Sequence, residues 1–231
     1  MGRGAHAPCP MCLTLSGEVV AVPVAPRRIT WMWLVSALCL ASGALAPVVA
    51  EDRDEWQQPE RVIADLQLRP GLTVADVGCG YGYFTFRMAS AVGGDGQVYA
   101  ADISDEALGS VREQARDGGL TNVEVVRSDP TDAKLPASSV DAVLFCDVLH
   151  EMPAGDRLPL LRNAVGSLRP GGFLHLIDYR QSRDITFDPY EKLIPHDDLV
   201  ALGTDAGCTL DAEFHYLKYQ VFLRFRKPAT E

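Results

Sequence analysis

The chain reads as an α/β protein built on a doubly wound, mostly parallel sheet. Three observations predict it. Short apolar runs alternate with helical patterns through most of the chain, as expected of strands buried on both faces and joined by crossover helices. Glycines stand at Gly78, Gly80 and Gly82, where the first apolar run ends. The second run ends on a carboxylate, Asp102, at about the twenty-residue spacing where an acid meets ribose hydroxyls.

The elements follow in order. Val62, Ile63 and Leu66 have helical spacing, and Pro70-Gly71 ends a leading helix over Pro59 to Leu68,. Leu72 to Val77 is the first strand, and Phe84 to Val92 the first crossover helix. The turn Gly93-Gly94-Asp95-Gly96 leads to a strand at Gln97 to Ala101,. Ser104 is an N-cap, with Asp105 and Glu106 in the first turn of a helix running to Arg116,. Strands follow at Val123 to Arg127 and Val140 to Cys146, then a helix at Pro153 to Leu168. Arg169-Pro170-Gly171-Gly172 turns into a strand at Phe173 to Asp178. A helix at Pro195 to Ala206 and closing strands at Thr209 to Tyr216 and Tyr219 to Arg226 complete seven strands.

The 231 residues carry a formal charge of −10. Three arginines and one glutamate fall in residues 1–50, so the acidic excess belongs to residues 51–231. A strongly acidic domain lacks the electrostatic footprint of a nucleic-acid binder. Residues 1–50 form an extension, and residues 51–231 one domain. Residues 29–50 are uncharged and apolar or small, preceded by Arg27-Arg28 and followed by Glu51 and Asp52. Val48-Val49-Ala50 offers a small-residue cleavage site,. The stretch reads as a signal peptide or a retained membrane anchor, and either places the domain outside the cytoplasm, periplasmic or secreted. Arg27-Arg28 partly matches a twin-arginine signal, with Thr30 out of pattern,. Cys9 and Cys12 lack the second pair or the histidines that zinc requires, and no metal site is expected,. Cys79 and Cys146 are expected as buried free thiols near the site, although an oxidising compartment leaves pairing open.

Two nucleoside-binding patterns compete at the glycine turn. A dinucleotide fingerprint needs a third glycine where Tyr83 stands,. The segment Asp76-Val77-Gly78-Cys79-Gly80-Tyr81-Gly82 instead resembles motif I of the class I S-adenosylmethionine-dependent methyltransferases. That resemblance covers about Trp56 to Lys227 and implies a seven-stranded sheet with an antiparallel C-terminal strand pair. It implies S-adenosyl-L-methionine as cofactor, with contacts from Asp76, Gly78, Gly80 and Gly82. Asp76 is expected to stabilise the loop and the methionine ammonium. Asp102 is expected to accept both ribose hydroxyls, against a purely capping role. Ile103 should pack on the adenine and Asp129, with Asp132 as alternative, should meet its amino group. Asp147 borders the sulfonium.

The segment Asp147-Val148-Leu149-His150-Glu151 resembles that of small-molecule methyltransferases that include quinone-ring methylators. His150 is the candidate general base, the alternative being a helix-start histidine bonded to the backbone. His175 and His215 read as structural. Trp56-Gln57-Gln58-Pro59-Glu60, Gly80 to Phe86, the Asp147 to Glu151 segment and Asp178-Tyr179-Arg180 also resemble a group of small methyltransferases bearing an export signal. Pro195-His196-Asp197-Asp198 departs from that group on the acceptor side. The expected partner is a small-molecule methyl acceptor, with no nucleic acid and no protein partner in view. An NAD-dependent oxidoreductase and an exported non-catalytic nucleoside-binding module are the competing functions.

Overall fold

The computed structural model describes residues 52–180 and 193–229. The Arg27-Arg28 pair, the apolar run of residues 29–50, Cys9 and Cys12 lie outside the described residues. The elements run α1 (Arg53–Gln57), α2 (Pro59–Asp65), β1 (Thr73–Val77), α3 (Thr85–Val92), β2 (Gln97–Asp102), α4 (Asp105–Asp117), β3 (Val123–Arg127), β4 (Val140–Cys146), a 3-10 turn (Leu149–Glu151), α5 (Ala154–Ser167), β5 (Leu168–Tyr179), α6 (His196–Asp205), β6 (Thr209–Phe214) and β7 (Gln220–Arg226).

The seven strands form one sheet in the order β3-β2-β1-β4-β5-β7-β6. Strands β1 to β5 pair in parallel, and β7 pairs antiparallel with β5 and β6. This is the expected doubly wound architecture. The chain reverses its winding between β1 and β4, which are neighbours. A crevice opens there at the carboxyl ends of the strands.

Strand pleating sorts the core. On β4, Val143 and Phe145 join α5 and α6 residues such as Leu161 and Leu199 on one face. Ala142 and Leu144 join α2 and α3 residues such as Val62 and Met88 on the other. Alternate side chains point to opposite faces, so a strand covered on both must be apolar throughout.

The elements depart from expectation most at three places, the other ends shifting by one or two residues. Helix α1 precedes the leading helix, capped by Asp52 and separated from α2 by Gln58 at φ 47. Five residues are too few to show a helical period. Helix α2 ends at Asp65, three residues short of the expected Leu68. The expected turn at Arg169-Gly172 lies inside β5 as a bulge, since pairing jumps from Val140 with Leu168 to Ala142 with Phe173. Gly171 N–H donates to Lys227 O at 3.1 Å, which keeps the bulge beside the chain leaving β7. Among the described residues no helix is long and apolar enough to cross a membrane.

Candidate active site

The site grows from the end of β1. Gly78, Gly80 and Gly82 have φ of 74, 51 and 87°, left-handed backbone that only glycine enters cheaply. Gly78 and Cys79 amides donate to Ala101 O at 2.8 and 3.1 Å, which ties the turn to β2. A Cβ at Gly78 would lie 2.4 Å from Val148 Cγ2, whereas one at Gly80 would meet nothing within 4 Å. The turn is therefore pressed under the loop after β4 and open above Gly80. Gly82 lines neither of the two cavities beside the turn; its amide donates to Cys79 O at 2.9 Å, and a Cβ there would strike the Phe86 ring.

Asp102 ends β2 with both oxygens held. Oδ2 accepts from Gly80 N at 2.9 Å and Oδ1 from Ser104 N at 2.8 Å. Capping of α4 falls to Ser104, whose Oγ accepts from Ala107 N at 3.2 Å. A carboxylate has about four lone-pair sites, so Asp102 is fixed in place and still able to accept from a ligand. Ile103 is 56% exposed, an apolar side chain left bare beside it.

Two cavities of about 390 Å³ each flank this turn. One is walled by Asp102, Ile103, Asp129, Val148, Glu151 and Met152. The other is walled by Arg53, Trp56, Asp76, Gly80, Cys146 and Tyr179. Gly78 and Asp147 line both. The structure thus brings Asp76, Gly78, Gly80, Asp102, Ile103, Asp129 and Asp147 to one crevice. Asp129 reaches it paired with Lys134 Nζ at 2.8 Å, while Asp132 pairs with the same lysine and lines neither cavity.

Asp147 has φ 59°, a left-handed conformation outside glycine. Such a residue costs about 1–3 kcal/mol and persists only where its surroundings determine it. Here Gln220 Nε2 donates to Oδ1 at 2.5 Å and Gln57 Nε2 to Oδ2 at 3.4 Å. Burial raises the Asp147 pKa, opposed by the Gln220 hydrogen bond. Asp76 is pushed up to about 6, chiefly by burial and against the Thr85 hydroxyl, which donates to Oδ2 at 2.6 Å. Cys79 and Cys146 are free, and burial raises both thiols, so neither is an activated nucleophile,.

His150 sits in the 3-10 turn after β4, buried, and lines neither cavity. Its Nδ1 is 2.6 Å from Asp178 Oδ1 and its Nε2 is 3.2 Å from Glu151 Oε1. The backbone-bonded alternative does not describe this ring. His175 is fully buried in β5, away from both cavities, and burial lowers its pKa to about 3. His215 is exposed beside Glu213. Sequence reasoning missed Arg53, Gln57 and Gln220 as site residues, and did not pair Asp178 with His150. Trp56-Gln57 and Asp178-Tyr179 stood in quoted motifs, but nothing local joins them: Gln57 and Gln220 are 163 residues apart.

Residues 74–172 match a family described as a methyltransferase domain. A demethylmenaquinone methyltransferase of Listeria welshimeri is 32% identical over 116 residues, 50% of this chain and 48% of that protein. A ubiquinone/menaquinone biosynthesis C-methyltransferase of Vibrio vulnificus is 31% identical over 126 residues, 54% of this chain and 46% of that protein. The chain spans about half the length of these curated relatives. The crystal structure of a SAM dependent methyltransferase from Aquifex aeolicus superposes with a TM-score of 0.71 at 28% identity, covering 77% of this chain and 93% of that one.

Proposed function

We propose that this chain, whose residues 74–172 form a methyltransferase domain on the class I fold, uses S-adenosyl-L-methionine to methylate a small molecule. One observation carries the reading: two cavities meet at Gly78 and Asp147, one bearing Asp102 and bare Ile103, the other Asp76. The residues fit the cofactor. Asp102 would hold the ribose, Ile103 and Asp129 the adenine, and Asp76 with the turn at Gly78 and Gly80 the amino-acid end. The bound cofactor supplies an electrophilic methyl group on a sulfonium.

The protein contributes placement, because in-line displacement rewards a fixed approach and a dry site. Trp56 and Tyr179, with ring centroids 6.1 Å apart, wall the second cavity. That pair, and the quinone-pathway names of the relatives, favour a planar apolar acceptor. His150 takes the proton that the acceptor releases where the two cavities meet at Asp147, relayed by Glu151 from the wall of the first. The experiment is thermal melting with S-adenosylhomocysteine and with NADH. Stabilisation by the first alone supports the reading; stabilisation by NADH alone defeats it in favour of an oxidoreductase.

The proposal includes placement in the cell. Arg27-Arg28 ahead of the apolar residues 29–50 supports export or membrane anchoring with the domain outside the cytoplasm. Residues 1–60 fused to a reporter active only outside the cytoplasm should yield activity, and a silent fusion counts against export.

A further inference from the structure

Arg53 is the only lysine or arginine among the described residues lining the two cavities, where Asp76, Asp102, Asp129 and Asp147 also stand. It belongs to α1, which is latched at both ends. Asp54 accepts from the Tyr83 hydroxyl at 2.5 Å and from Arg87 Nη2 at 3.2 Å. Gln57 is fully buried and donates to Gln220 Oε1 at 3.3 Å. The helix therefore presents Arg53 from a fixed base.

The guanidinium is itself placed. Its carbon lies 3.7 Å from the centroid of the Tyr83 ring, and Nε donates to Gln57 Oε1 at 2.5 Å. Nη2 stands 3.7 Å from Asp147 Oδ2, too far for a hydrogen bond. Stacking and Nε fix the plane, and the terminal nitrogens keep donors for another acceptor. A planar guanidinium fork matches a carboxylate.

We propose that Arg53 binds the carboxylate at the amino-acid end of the nucleoside cofactor and so selects for a cofactor that carries it. This rests on the S-adenosylmethionine reading above. That cofactor carries two positive groups, sulfonium and ammonium, and one negative group. The crevice offers several carboxylates and a single guanidinium, the complementary arrangement. Arg53 also neutralises Asp147, and a test must separate that duty from ligand recognition.

The test compares S-adenosylhomocysteine with 5′-methylthioadenosine, which lacks the amino-acid end, by calorimetry on the full chain. Arg53→Gln should weaken S-adenosylhomocysteine by about tenfold or more and leave 5′-methylthioadenosine within about twofold, the effect of losing a charge-assisted pair. Arg53→Lys should restore part of the loss. Equal losses for both ligands would make Arg53 a support for α1 and overturn the proposal, as would no loss for either. Should Arg53→Gln fail to fold, unaltered protein decides: it should bind S-adenosylhomocysteine at least about tenfold more tightly than its α-carboxamide, and equal affinities overturn the proposal. Unaltered protein that binds none of these nucleosides removes the S-adenosylmethionine reading itself, a result distinct from a failure at Arg53.

Discussion

His150 Nδ1 and Asp178 Oδ1 lie 2.6 Å apart, joining the loop after β4 to the end of β5. The Asp178 carboxylate, 1% exposed, also accepts from the backbone amides of His150 at 3.2 Å and Tyr179 at 2.8 Å. Three donors leave Asp178 one geometry, so the imidazole has one too. Burial pulls the His150 pKa down, but the hydrogen bond and charge of Asp178, with Asp147 and Glu151, outweigh it and the net shift is upward.

A base at His150 works only when unprotonated, so the acid limb of turnover should lie above the ordinary histidine value of about 6.5. His150→Ala should lower turnover by about 10²–10⁴-fold and abolish that limb, leaving S-adenosylhomocysteine affinity intact. The same raised pKa contributes stability below about pH 6.5 that is lost as pH rises through the folded value. Asp178→Asn should flatten this loss in melting curves and move the acid limb down. Normal turnover by His150→Ala on an accepted phenol or quinol makes the histidine structural.

Asp102→Ala should do two things at once. It strands the half-buried Gly80 and Ser104 amides that the carboxylate now holds, at up to about 1 kcal/mol each because water reaches them. On the proposed ribose assignment it also removes the sugar's acceptor, so S-adenosylhomocysteine should bind about tenfold or more weakly. Denaturant unfolding reads the first effect and calorimetry the second. Unchanged affinity would falsify the ribose assignment.

Gly78→Ala places a methyl group 2.4 Å from Val148 Cγ2 at a φ of 74°. The left-handed backbone costs about 1–2 kcal/mol and the overlap about 1–3 kcal/mol more. Adding Val148→Ala should recover only the overlap. Full recovery in the double variant would show that the backbone at residue 78 tolerates a side chain.

Asp76 couples binding to pH. Its carboxyl is raised from 3.8 to about 6 by burial first and by the charge of Asp102, against Thr85 and Arg53. The folded chain thus keeps a proton that the unfolded chain releases, and this contribution to stability is present below about pH 4 and lost as pH rises to about 6. An ammonium beside Asp76 favours the ionised form. Affinity for S-adenosylhomocysteine should therefore rise between about pH 4 and 6, with proton release. Calorimetry in two buffers of different ionisation heat measures that release, and Asp76→Asn should remove it.

The strands, and the meeting of the glycine turn with Asp102, were legible because their signals are local. A strand covered on both faces must be apolar through its middle, and β4 shows it from Ala142 to Phe145, whereas the edge strand β3 carries Glu124 and Arg127 and is only partly buried,. The glycine turn and Asp102 occupy adjacent parallel strands, where Val77 pairs with Ala101, so their spacing along the chain predicts their meeting. Other features follow from contacts that no local pattern carries. Helix α1 has five residues and depends on Asp54 reaching Tyr83 and Gln57 reaching Gln220. The left-handed turn at Asp147 depends on the same glutamines. Whether a motif residue faces the crevice is also a matter of packing: Gly82 turns its back to it, and His150 is drawn to Asp178. Periodicity tells which face of one element is buried, and the sequence by itself determined that much for this protein. Only when β4, β5, β7 and α1 close on one another do distant polar groups find partners, since a buried donor left alone costs more than any local preference returns.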